Sequence, residues 1–333
     1  MRVTVVGAGV VGLTAALELS ERGAEVEIVE RAAHLGETAC SWCAGGMLAP
    51  WCEGESAPAE VVERGALALD WWAQRVPGVA RNGTLVVAAP RDAGEIERFA
   101  NRTQHHERVD EAHIGALEPD LAGRFRKGLF FAREGHLDPR AALGALRDRL
   151  VGRGVSIRFG VAATASSLDG VAVLDCRGFA ARDELEELRG VRGEMAILRT
   201  REIRLSRPIR FLHPRIPLYI VPRADGLFMV GATMIESAER GAVTARSAIE
   251  LLSTAYALHP AFGEAEIVET RADVRPAFPD NLPRIVQRGA TTYLNGFYRH
   301  GFLLSPAFAQ QAAATILGNV ENDHENHRQR RRA

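Results

Sequence analysis

Three glycines near the amino terminus have the spacing that binding of a dinucleotide pyrophosphate requires. Gly7, Gly9 and Gly12 form G-x-G-x-x-G directly after the β-branched run at residues 3–6. The first glycine permits a tight turn, the second lets a phosphate approach the backbone, and the third lets a helix lie close to the strand. The pattern therefore predicts a buried strand, a phosphate-binding turn and a helix, in that order.

The predicted helix, over residues 10–22, points its amino terminus at the phosphates. Val10 and Val11 occupy its first turn, where backbone N–H groups and the positive end of the helix dipole attract anions. A second strand follows, and Glu30 stands at its carboxyl end beside Arg31. A carboxylate there accepts hydrogen bonds from an adenosine ribose and disfavours a ribose 2′-phosphate. These residues predict an adenine dinucleotide and leave FAD, NAD and NADP to be separated.

The connection over residues 32–56 is the second candidate contact with the cofactor. Its many small residues would let the backbone come close to a flat ligand, and its two tryptophans argue against a flexible surface loop. Cys40-x-x-Cys43 is a single C-x-x-C pair, so ordinary reduced thiols are favoured over a redox pair or half of a metal site. No metal is predicted. The cofactor-binding candidates in this connection are Ser41, Trp42, Ala44, Gly45, Gly46 and Met47.

Length and composition are typical of a globular protein. The 333 residues are long for a single core, so two joined domains are expected. The formal net charge of −1 gives no global field that would attract nucleic acid, and no apolar run reaches the roughly 18 residues of a membrane span. We therefore expect a cytoplasmic protein with no nucleic-acid or membrane partner, and a homo-oligomer stays open. The tail at residues 319–333 lacks apolar periodicity and is expected to be disordered.

Short strands return after the glycine motif, including residues 155–159 and 171–174, which suits a nucleotide domain interrupted by a second domain. A long middle stretch is mainly β, and residues 246–258 are predicted to form a helix with Ile249, Leu252 and Tyr256 facing inward. Near the carboxyl end, a strand, a glycine turn at residues 296–301 and a helix over residues 305–317 again bring backbone N–H groups near a cofactor.

Seven blocks in this order resemble the D-amino-acid oxidase superfamily of flavoproteins. They cover residues 1 to about 317 and are most similar to the glycine oxidase branch, which is associated with thiamine thiazole synthesis. The blocks read Val3-Thr-Val-Val-Gly-Ala-Gly-Val-Val-Gly, Ala44-Gly-Gly-Met-Leu-Ala-Pro, Gly193-Glu-Met, Tyr219-Ile-Val-Pro-Arg, Gly231-Ala-Thr-Met, Val274-Arg-Pro and Gly296-Phe-Tyr-Arg-His-Gly-Phe-Leu-Leu-Ser-Pro.

The resemblance implies an α/β fold and FAD as the cofactor. A Rossmann-like FAD-binding domain would be interleaved with an α+β substrate domain built on a mostly antiparallel sheet. The implied FAD-binding domain comprises residues 1–80, 150–190 and 270–318, and the implied substrate domain comprises residues 81–149 and 191–269.

The resemblance also implies roles for particular side chains. Arg299 would clamp the substrate carboxylate with Arg275 assisting, since a planar guanidinium grips a carboxylate through two parallel hydrogen bonds. Tyr219 would hydrogen-bond the substrate, and Met234 would line the pocket. The backbone of residues 44–47 would pass the flavin ring. Val161 would meet the adenine, Gly301, Phe302 and Leu303 would approach the isoalloxazine edge, and Gly178 and His300 complete the cofactor-binding set.

The implied reaction is oxidative deamination with molecular oxygen as the second substrate. A small amino acid, with glycine favoured, would lose a hydride from Cα to flavin N5 and give an imine, which hydrolyses to an oxo acid and ammonia. Oxygen would take up the electrons as hydrogen peroxide, and in a thiamine pathway the glycine imine would be the useful product. The alternatives are a D-amino-acid, sarcosine or proline oxidase or dehydrogenase of the same superfamily, an NAD-dependent dehydrogenase, and a nucleotide-binding protein without catalysis.

Two stretches depart from the family pattern. The strand before Gly178 ends in Asp175-Cys-Arg, where the family has aliphatic residues and alanine. Asp175 and Arg177 are expected either to alter the packing under the cofactor or to pair with each other. Residues 40–43 carry Trp and Cys where small hydroxyl and alanine residues are usual, so the cover of the pocket is expected to differ.

Overall fold

The computed structural model describes residues 1–164, 168, 172–214 and 217–330, of which residues 319–330 are described by backbone only. The strands are β1 (Arg2–Val6), β2 (Glu25–Glu30), β3 (Met47–Leu48), β4 (Thr84–Ala88), β5 (Glu107–Asp110), β6 (Lys127–Phe131), β7 (Gly135–His136), β8 (Ser156–Phe159), β9 (Ala172–Asp175), β10 (Arg189–Arg199), β11 (Ile209–Leu212), β12 (Leu218–Pro222), β13 (Leu227–Gly231), β14 (Ile235–Glu236), β15 (Glu266–Ala277), β16 (Arg284–Arg288) and β17 (Thr291–Asn295). The helices are α1 (Val10–Glu21), α2 (Pro50–Glu53), α3 (Ala59–Gly65), α4 (Ala68–Arg75), α5 (Gly94–Arg102), α6 (Glu111–Leu117), α7 (Pro139–Gly152), α8 (Ala245–Leu258) and α9 (Gly301–Arg330).

The chain divides into two compact units, each built from separate segments. The first unit comprises Met1–Trp42, Leu143–Arg189 and Arg275–Ala333, and the second comprises Cys43–Ala142 and Gly190–Val274. Residues 43–80, which we assigned to the nucleotide domain, group with the second unit. The reason is long-range contact: β3 pairs with β7, and Cys52 of α2 packs in one core with residues of β4 and β6.

The first unit is built on a sheet whose described strands run in the order β16-β17-β9-β1-β2-β8. β1, β2, β8, β9 and β17 pair in parallel, and β16 is antiparallel to β17. β1 is buried from Val3 to Val6, as expected for a parallel strand covered on both faces. The strand, glycine turn, helix and second strand that the sequence predicts are confirmed, and α1 packs against α9.

The second unit is built on a mostly antiparallel sheet in the order β14-β10-β13-β12-β11-β4-β6-β5, with β15 pairing to β10. β4 and β11 pair in parallel. β4 is buried at every position because both faces of the sheet are covered. Leu85 and Val87 lie in a core that includes Leu251 of α8, whereas Val86 and Ala88 lie in the core under α2 and α5.

α8 confirms the helix predicted after residue 245 but not its inward face. Ile249 and Tyr256 are 67% and 56% exposed, and Leu252 is half-buried. The helix carries two apolar stripes, and the position of the neighbouring sheet decides which one is covered. The buried residues are Ser247, Leu251, Thr254, Ala255 and Leu258.

α9 differs from the predicted carboxyl-terminal helix at both ends. It begins at Gly301, four residues before the predicted Ser305, and continues to Arg330 through the tail that we expected to be disordered. No proline interrupts residues 319–330, and an existing helix gains one hydrogen bond for each residue it adds. Residues 331–333, and residue 171 at the start of another predicted strand, lie outside the described residues. Among the helices described, none combines the length and apolar character needed to cross a membrane.

Candidate active site

In the turn between β1 and α1, each of the three positions is occupied by glycine for a different structural reason. Gly7 has φ +105°, and a Cβ there would lie 2.8 Å from the Cys176 carbonyl oxygen. A Cβ on Gly12 would lie 1.9 Å from the Gly7 carbonyl oxygen. At Gly9 the nearest atom, Ser41 Oγ, would be 3.7 Å away, which is an ordinary contact. The protein itself requires glycine at positions 7 and 12, whereas Gly9 leaves the backbone open to a ligand, as a pyrophosphate needs.

Glu30 lies beside this turn at the end of β2. Its Oε2 accepts a hydrogen bond from the Ala8 N–H at 2.7 Å, and its Oε1 accepts one from the Ala32 N–H at 2.9 Å. A carboxylate has about four acceptor positions, so acceptor capacity remains for the hydroxyl groups of a ribose. The Val161 N–H donates to the Glu30 carbonyl oxygen at 2.9 Å, which places Val161 at the same strand end. Arg31, the next residue, is exposed.

The turn at residues 40–43 reaches the amino terminus of α1. The Val10 N–H donates to the Ser41 hydroxyl oxygen at 3.3 Å, so Ser41 lies at the helix end that phosphates would face. Trp42 packs on Gly36, where the φ is +83° and a Cβ would lie 2.0 Å from the indole ring. The bulky indole is therefore accommodated by a glycine in its own loop.

The departure at residues 175–178 is an ion-paired corner. Buried Asp175 accepts hydrogen bonds from the Arg177 N–H at 3.0 Å and from Arg177 Nε at 2.7 Å, which confirms that the two residues pair. Burial raises the pKa of Asp175, and the Arg177 guanidinium opposes that shift. Arg177 also donates two hydrogen bonds to Asp183. Gly178 follows with φ +62°, and its carbonyl oxygen accepts from the Asn295 side chain at 2.8 Å.

A second helix terminus lies next to the first. A Cβ on Gly301, the first residue of α9, would lie 3.2 Å from Val10 Cγ1, so the amino termini of α1 and α9 are adjacent. Phe302 and Leu303 are buried, so they would offer a cofactor their backbone rather than their side chains. His300 is also buried, and its Nε2 accepts from Arg299 Nε at 3.2 Å.

Arg275 and Arg299 come from two chain segments that are paired just ahead of α9. Ala277 bridges Phe297 in antiparallel fashion, and the Tyr298 N–H donates to the Pro276 carbonyl oxygen at 2.8 Å. Arg275 precedes Pro276 and Arg299 follows Tyr298, so both arginines lie at the same end of this pairing. Both are half-buried. Two guanidinium groups carried at the same end of this pairing offer donors that a carboxylate can accept in charge-assisted hydrogen bonds.

Tyr219 lies in the second unit against a glycine. A Cβ on Gly45 would lie 2.8 Å from Cε2 of the Tyr219 ring, and a Cβ on Gly231 would lie 3.4 Å from its hydroxyl oxygen. Both glycines allow the ring to approach the backbone closely. Gly46 has φ +73° and leaves room for the Leu137 carbonyl oxygen. Tyr219 packs in one cluster with Cys43, Met47, Met195, Ile197, Val221 and Met229.

Arg223 is a residue to which sequence reasoning assigned no role. Its side chain is 7% exposed, and its guanidinium donates to the carbonyl oxygens of Leu137, Ala44 and Gly45. Burial lowers its pKa to about 10, so it stays protonated at neutral pH. The available signal was the period of a strand, because positions 219, 221 and 223 alternate onto one face of β12 and its extension.

Glu194, in the block Gly193-Glu-Met, is a second residue to which the sequence assigned no role. It is fully buried, and its Oε1 accepts from Arg192 Nε at 3.0 Å and from the Thr244 N–H at 3.2 Å. The Glu194 N–H donates to the Thr233 hydroxyl oxygen at 2.9 Å. This network fixes the segment that carries Met234, whose side chain is 51% exposed.

The four cysteines all lie in the described residues and are thiols rather than disulfides. Burial raises the pKa of the Cys43 thiol to about 11, so it carries little thiolate at neutral pH and is a poor redox nucleophile. Within the described part of the chain, no group of three or more His, Cys, Asp or Glu side chains could hold a metal ion.

The residues of the first unit fit an adenine dinucleotide. Gly9 is open to a phosphate, Glu30 holds acceptor capacity beside it, and the helix termini at Val10 and Gly301 direct partial positive charge at the same turn. The arrangement is that of a dinucleotide cradle, and the comparisons with known proteins decide which dinucleotide it takes.

The chain is similar to three known proteins over almost its whole length. It is 56% identical over 318 residues to a Rhizobium etli protein described as a thiamine biosynthesis oxidoreductase, ThiO, with 95% of this chain and 97% of that protein covered. It is 27% identical to the glycine oxidase of Pseudomonas aeruginosa, with 95% of each chain covered. The crystal structure of glycine oxidase from Bacillus cereus shares the fold, with a TM-score of 0.80, 23% identity and coverage of 96% of this chain and 95% of that one.

A family model described as DAO, FAD dependent oxidoreductase, matches residues 2–315. The match selects FAD among the dinucleotides that the glycine motif left open. It also removes the alternatives of an NAD-dependent dehydrogenase and of a nucleotide-binding protein without catalysis. The chain belongs to the DAO family of FAD-dependent oxidoreductases.

Proposed function

We propose that the protein oxidises a small amino acid, with glycine favoured, and that the imine so formed serves thiamine thiazole synthesis. With glycine, oxygen and water as substrates, the complete reaction gives glyoxylate, ammonia and hydrogen peroxide. The ThiO and glycine oxidase relatives support this substrate class. The observation that carries the proposal is the placement of Arg275 and Arg299 at one end of a paired segment, directly before α9.

The two arginines would bind the carboxylate group of the substrate. A guanidinium presents two parallel N–H donors to a carboxylate, and each charge-assisted hydrogen bond contributes about 1.5–3 kcal/mol. His300 accepts from Arg299 Nε, which restrains the orientation of that side chain. Neither arginine needs to exchange a proton, because both bind and orient.

On the second unit, the Tyr219 hydroxyl group would donate a hydrogen bond to the substrate. Its ring is held against Gly45 and beside Gly231, so the position of the hydroxyl is fixed by packing. Met234 would supply apolar lining, since its side chain is partly exposed and its segment is held by Glu194 through Thr233.

The cofactor-binding residues keep the roles that the resemblance implied. Gly9 and the first turn of α1 would face the pyrophosphate, Glu30 the ribose and Val161 the adenine, and the backbone at residues 44–47 and 301–303 would face the flavin ring. When bound, FAD supplies the capacity to accept a hydride from the substrate Cα and to return the electrons to oxygen. The cytoplasmic location stays a prediction, and the oligomeric state stays open.

A substrate panel tests the proposal directly. Oxygen uptake by the purified protein would be followed with glycine, sarcosine, D-alanine and D-proline. We expect the largest kcat/KM with glycine. A clear preference for sarcosine, D-alanine or D-proline would instead assign the protein to another branch of the superfamily, and activity only with an artificial electron acceptor would make it a dehydrogenase.

An arginine substitution tests the carboxylate site. We expect Arg299→Met to lower kcat/KM about 100-fold or more, because two charge-assisted hydrogen bonds are lost. Flavin absorbance should be retained, which separates loss of substrate binding from loss of cofactor. Arg149→Met is the matched control, because Arg149 makes a surface ion pair with Glu21 in the same unit. Full turnover by Arg299→Met would contradict the assignment.

A further inference from the structure

We propose that Arg223 is a positioning residue that fixes the segment Ala44–Gly45–Gly46 against the Tyr219 ring and so sets the affinity for the substrate. This inference rests on the proposed function. It concerns the second unit alone, where all of these residues lie.

The Arg223 guanidinium binds carbonyl oxygens of two separate segments. Arg223 Nη2 donates to the carbonyl oxygen of Gly45 at 2.8 Å and to that of Ala44 at 3.2 Å, and Nη1 donates to the carbonyl oxygen of Leu137. One side chain therefore joins two chain segments that lie far apart in sequence, around residue 45 and around residue 137. A planar fork of donors suits such a junction, and an ammonium group does not reproduce it.

The two segments also bind each other, and one of them contacts Tyr219. The Leu137 N–H donates to the Gly46 carbonyl oxygen at 2.9 Å, so the two segments are also paired directly. Gly45 lies so close to the Tyr219 ring that a Cβ would be 2.8 Å from Cε2. Arg223 thus holds the backbone at the point where that backbone contacts the tyrosine ring.

The charge of Arg223 is held in a buried environment. Arg223 is almost fully buried, and Asp138 is the acidic group facing it, with Oδ2 3.6 Å from Nε. Asp138 is also engaged with the first turn of α7, where its Oδ1 accepts from the N–H groups of Arg140 and Ala141. A cation kept in such a place is costly unless its donors are satisfied, and here backbone carbonyls satisfy them. Through these hydrogen bonds the buried guanidinium holds the loop beside Tyr219.

The experiment compares Arg223 with a matched arginine. Arg207 in the same unit also joins separated segments, donating to the carbonyl oxygens of Asn82 and Leu117 and pairing with Glu118, but none of these contacts involves Tyr219 or residues 44–46. The variants are Arg223→Met, Arg223→Lys and Arg207→Met, each purified with its flavin. Steady-state kinetics with glycine and amide hydrogen exchange of residues 44–47 are measured for each.

We expect Arg223→Met to raise KM at least tenfold while kcat changes less than threefold, as for loss of binding common to ground state and transition state. Exchange at residues 44–47 should accelerate at least tenfold. Arg223→Lys should fall between the wild type and Arg223→Met in both measurements, because it keeps the charge and loses the fork. Arg207→Met should leave KM and exchange at residues 44–47 unchanged.

Equal effects of Arg207→Met and Arg223→Met on KM or on exchange would overturn the proposal, because the change would then follow from general destabilisation. Unchanged exchange at residues 44–47 in Arg223→Met would overturn it as well. If the wild-type protein oxidises no amino acid, the proposed function fails. The exchange comparison would still decide whether Arg223 holds the loop.

Discussion

The two units build their candidate binding surfaces from different materials. In the first unit the cradle is made largely of backbone: glycines 7, 9 and 12, the termini of α1 and α9, and one carboxylate, Glu30. In the second unit the surface around Tyr219 is held by buried charged side chains, Arg223 and Glu194, that bind loop backbone. A site made of backbone therefore depends on where glycines stand in the sequence. A site held by side chains depends on ion pairs and hydrogen bonds between residues that are distant in sequence.

The sharpest contrast inside the cradle is between Gly12 and Gly9. We expect Gly12→Ala to destabilise the protein by about 3 kcal/mol or more and to abolish flavin binding, because its Cβ would meet the Gly7 carbonyl oxygen at 1.9 Å. Gly9→Ala should change the stability of the apoprotein by less than about 0.5 kcal/mol yet weaken flavin binding. Urea unfolding of the apoproteins and titration with FAD measure both. Equal destabilisation by the two substitutions would remove the ligand-based reason for Gly9.

The ion-paired corner at the end of β9 tests whether the cradle also needs a side-chain network. Arg177→Met should cost about 3 kcal/mol at neutral pH, because it leaves Asp175 buried without its cation. The cost should shrink as the pH falls and Asp175, whose pKa burial already raises, becomes protonated. Adding Asp175→Asn to the variant should recover part of the loss. Urea unfolding at several pH values measures these effects, and a cost independent of pH would contradict the explanation.

Glu134 tests the buried charge of the second unit. Its Oε1 accepts from the Cys52 N–H at 2.7 Å, and burial raises its pKa to about 7, against the opposing charge of Arg210. The folded state holds the Glu134 proton more tightly than the unfolded state does, so protonation of Glu134 stabilises the folded protein at low pH. This stabilisation is lost as the pH rises to about 7. The loss is about 3 kcal/mol between the unfolded and folded pKa values.

The variant Glu134→Gln should remove that contribution, and the comparison with wild type is needed because His136 titrates in the opposite sense. Burial lowers the pKa of His136 to about 4, so its contribution is lost as the pH falls from about 6.5 toward 4. Urea unfolding of both proteins from pH 5 to 8 gives the difference. Parallel curves for wild type and variant would show that Glu134 does not titrate in this range.

The smallest expected effect is at the helix cap of α7. Asp138 accepts from the N–H groups of Arg140 and Ala141 at the start of α7, so Asp138→Ala should destabilise by about 1 kcal/mol as a lost cap. Asp138→Ala and Asp138→Asn both remove the ion pair with Arg223 at 3.6 Å, but asparagine keeps a capping oxygen. In thermal unfolding, the difference between the two variants therefore measures the cap, and the difference between wild type and Asp138→Asn measures the ion pair.

The sequence predicts the cradle well because its determinants are local. Gly7, Gly9 and Gly12 lie within six residues, and the order of strand, turn, helix and acid indicates a dinucleotide site. The same reasoning failed for α8, where Ile249 and Tyr256 face outward, because two apolar stripes were present and only the neighbouring sheet could choose between them. It also failed for residues 43–80, whose membership of the second unit depends on the pairing of β3 with β7.

The sequence by itself therefore determined the dinucleotide motif, most strands and helices of the first unit and, through its resemblance to a family, the cofactor. Only the tertiary structure decided that Arg223 binds the backbone beside Tyr219, that Glu194 holds the segment of Met234, and that Arg275 and Arg299 come together before α9. The physical reason is distance along the chain. A glycine turn is specified by neighbours within a few residues, whereas a guanidinium binds carbonyl groups whose positions are fixed only when distant strands have paired.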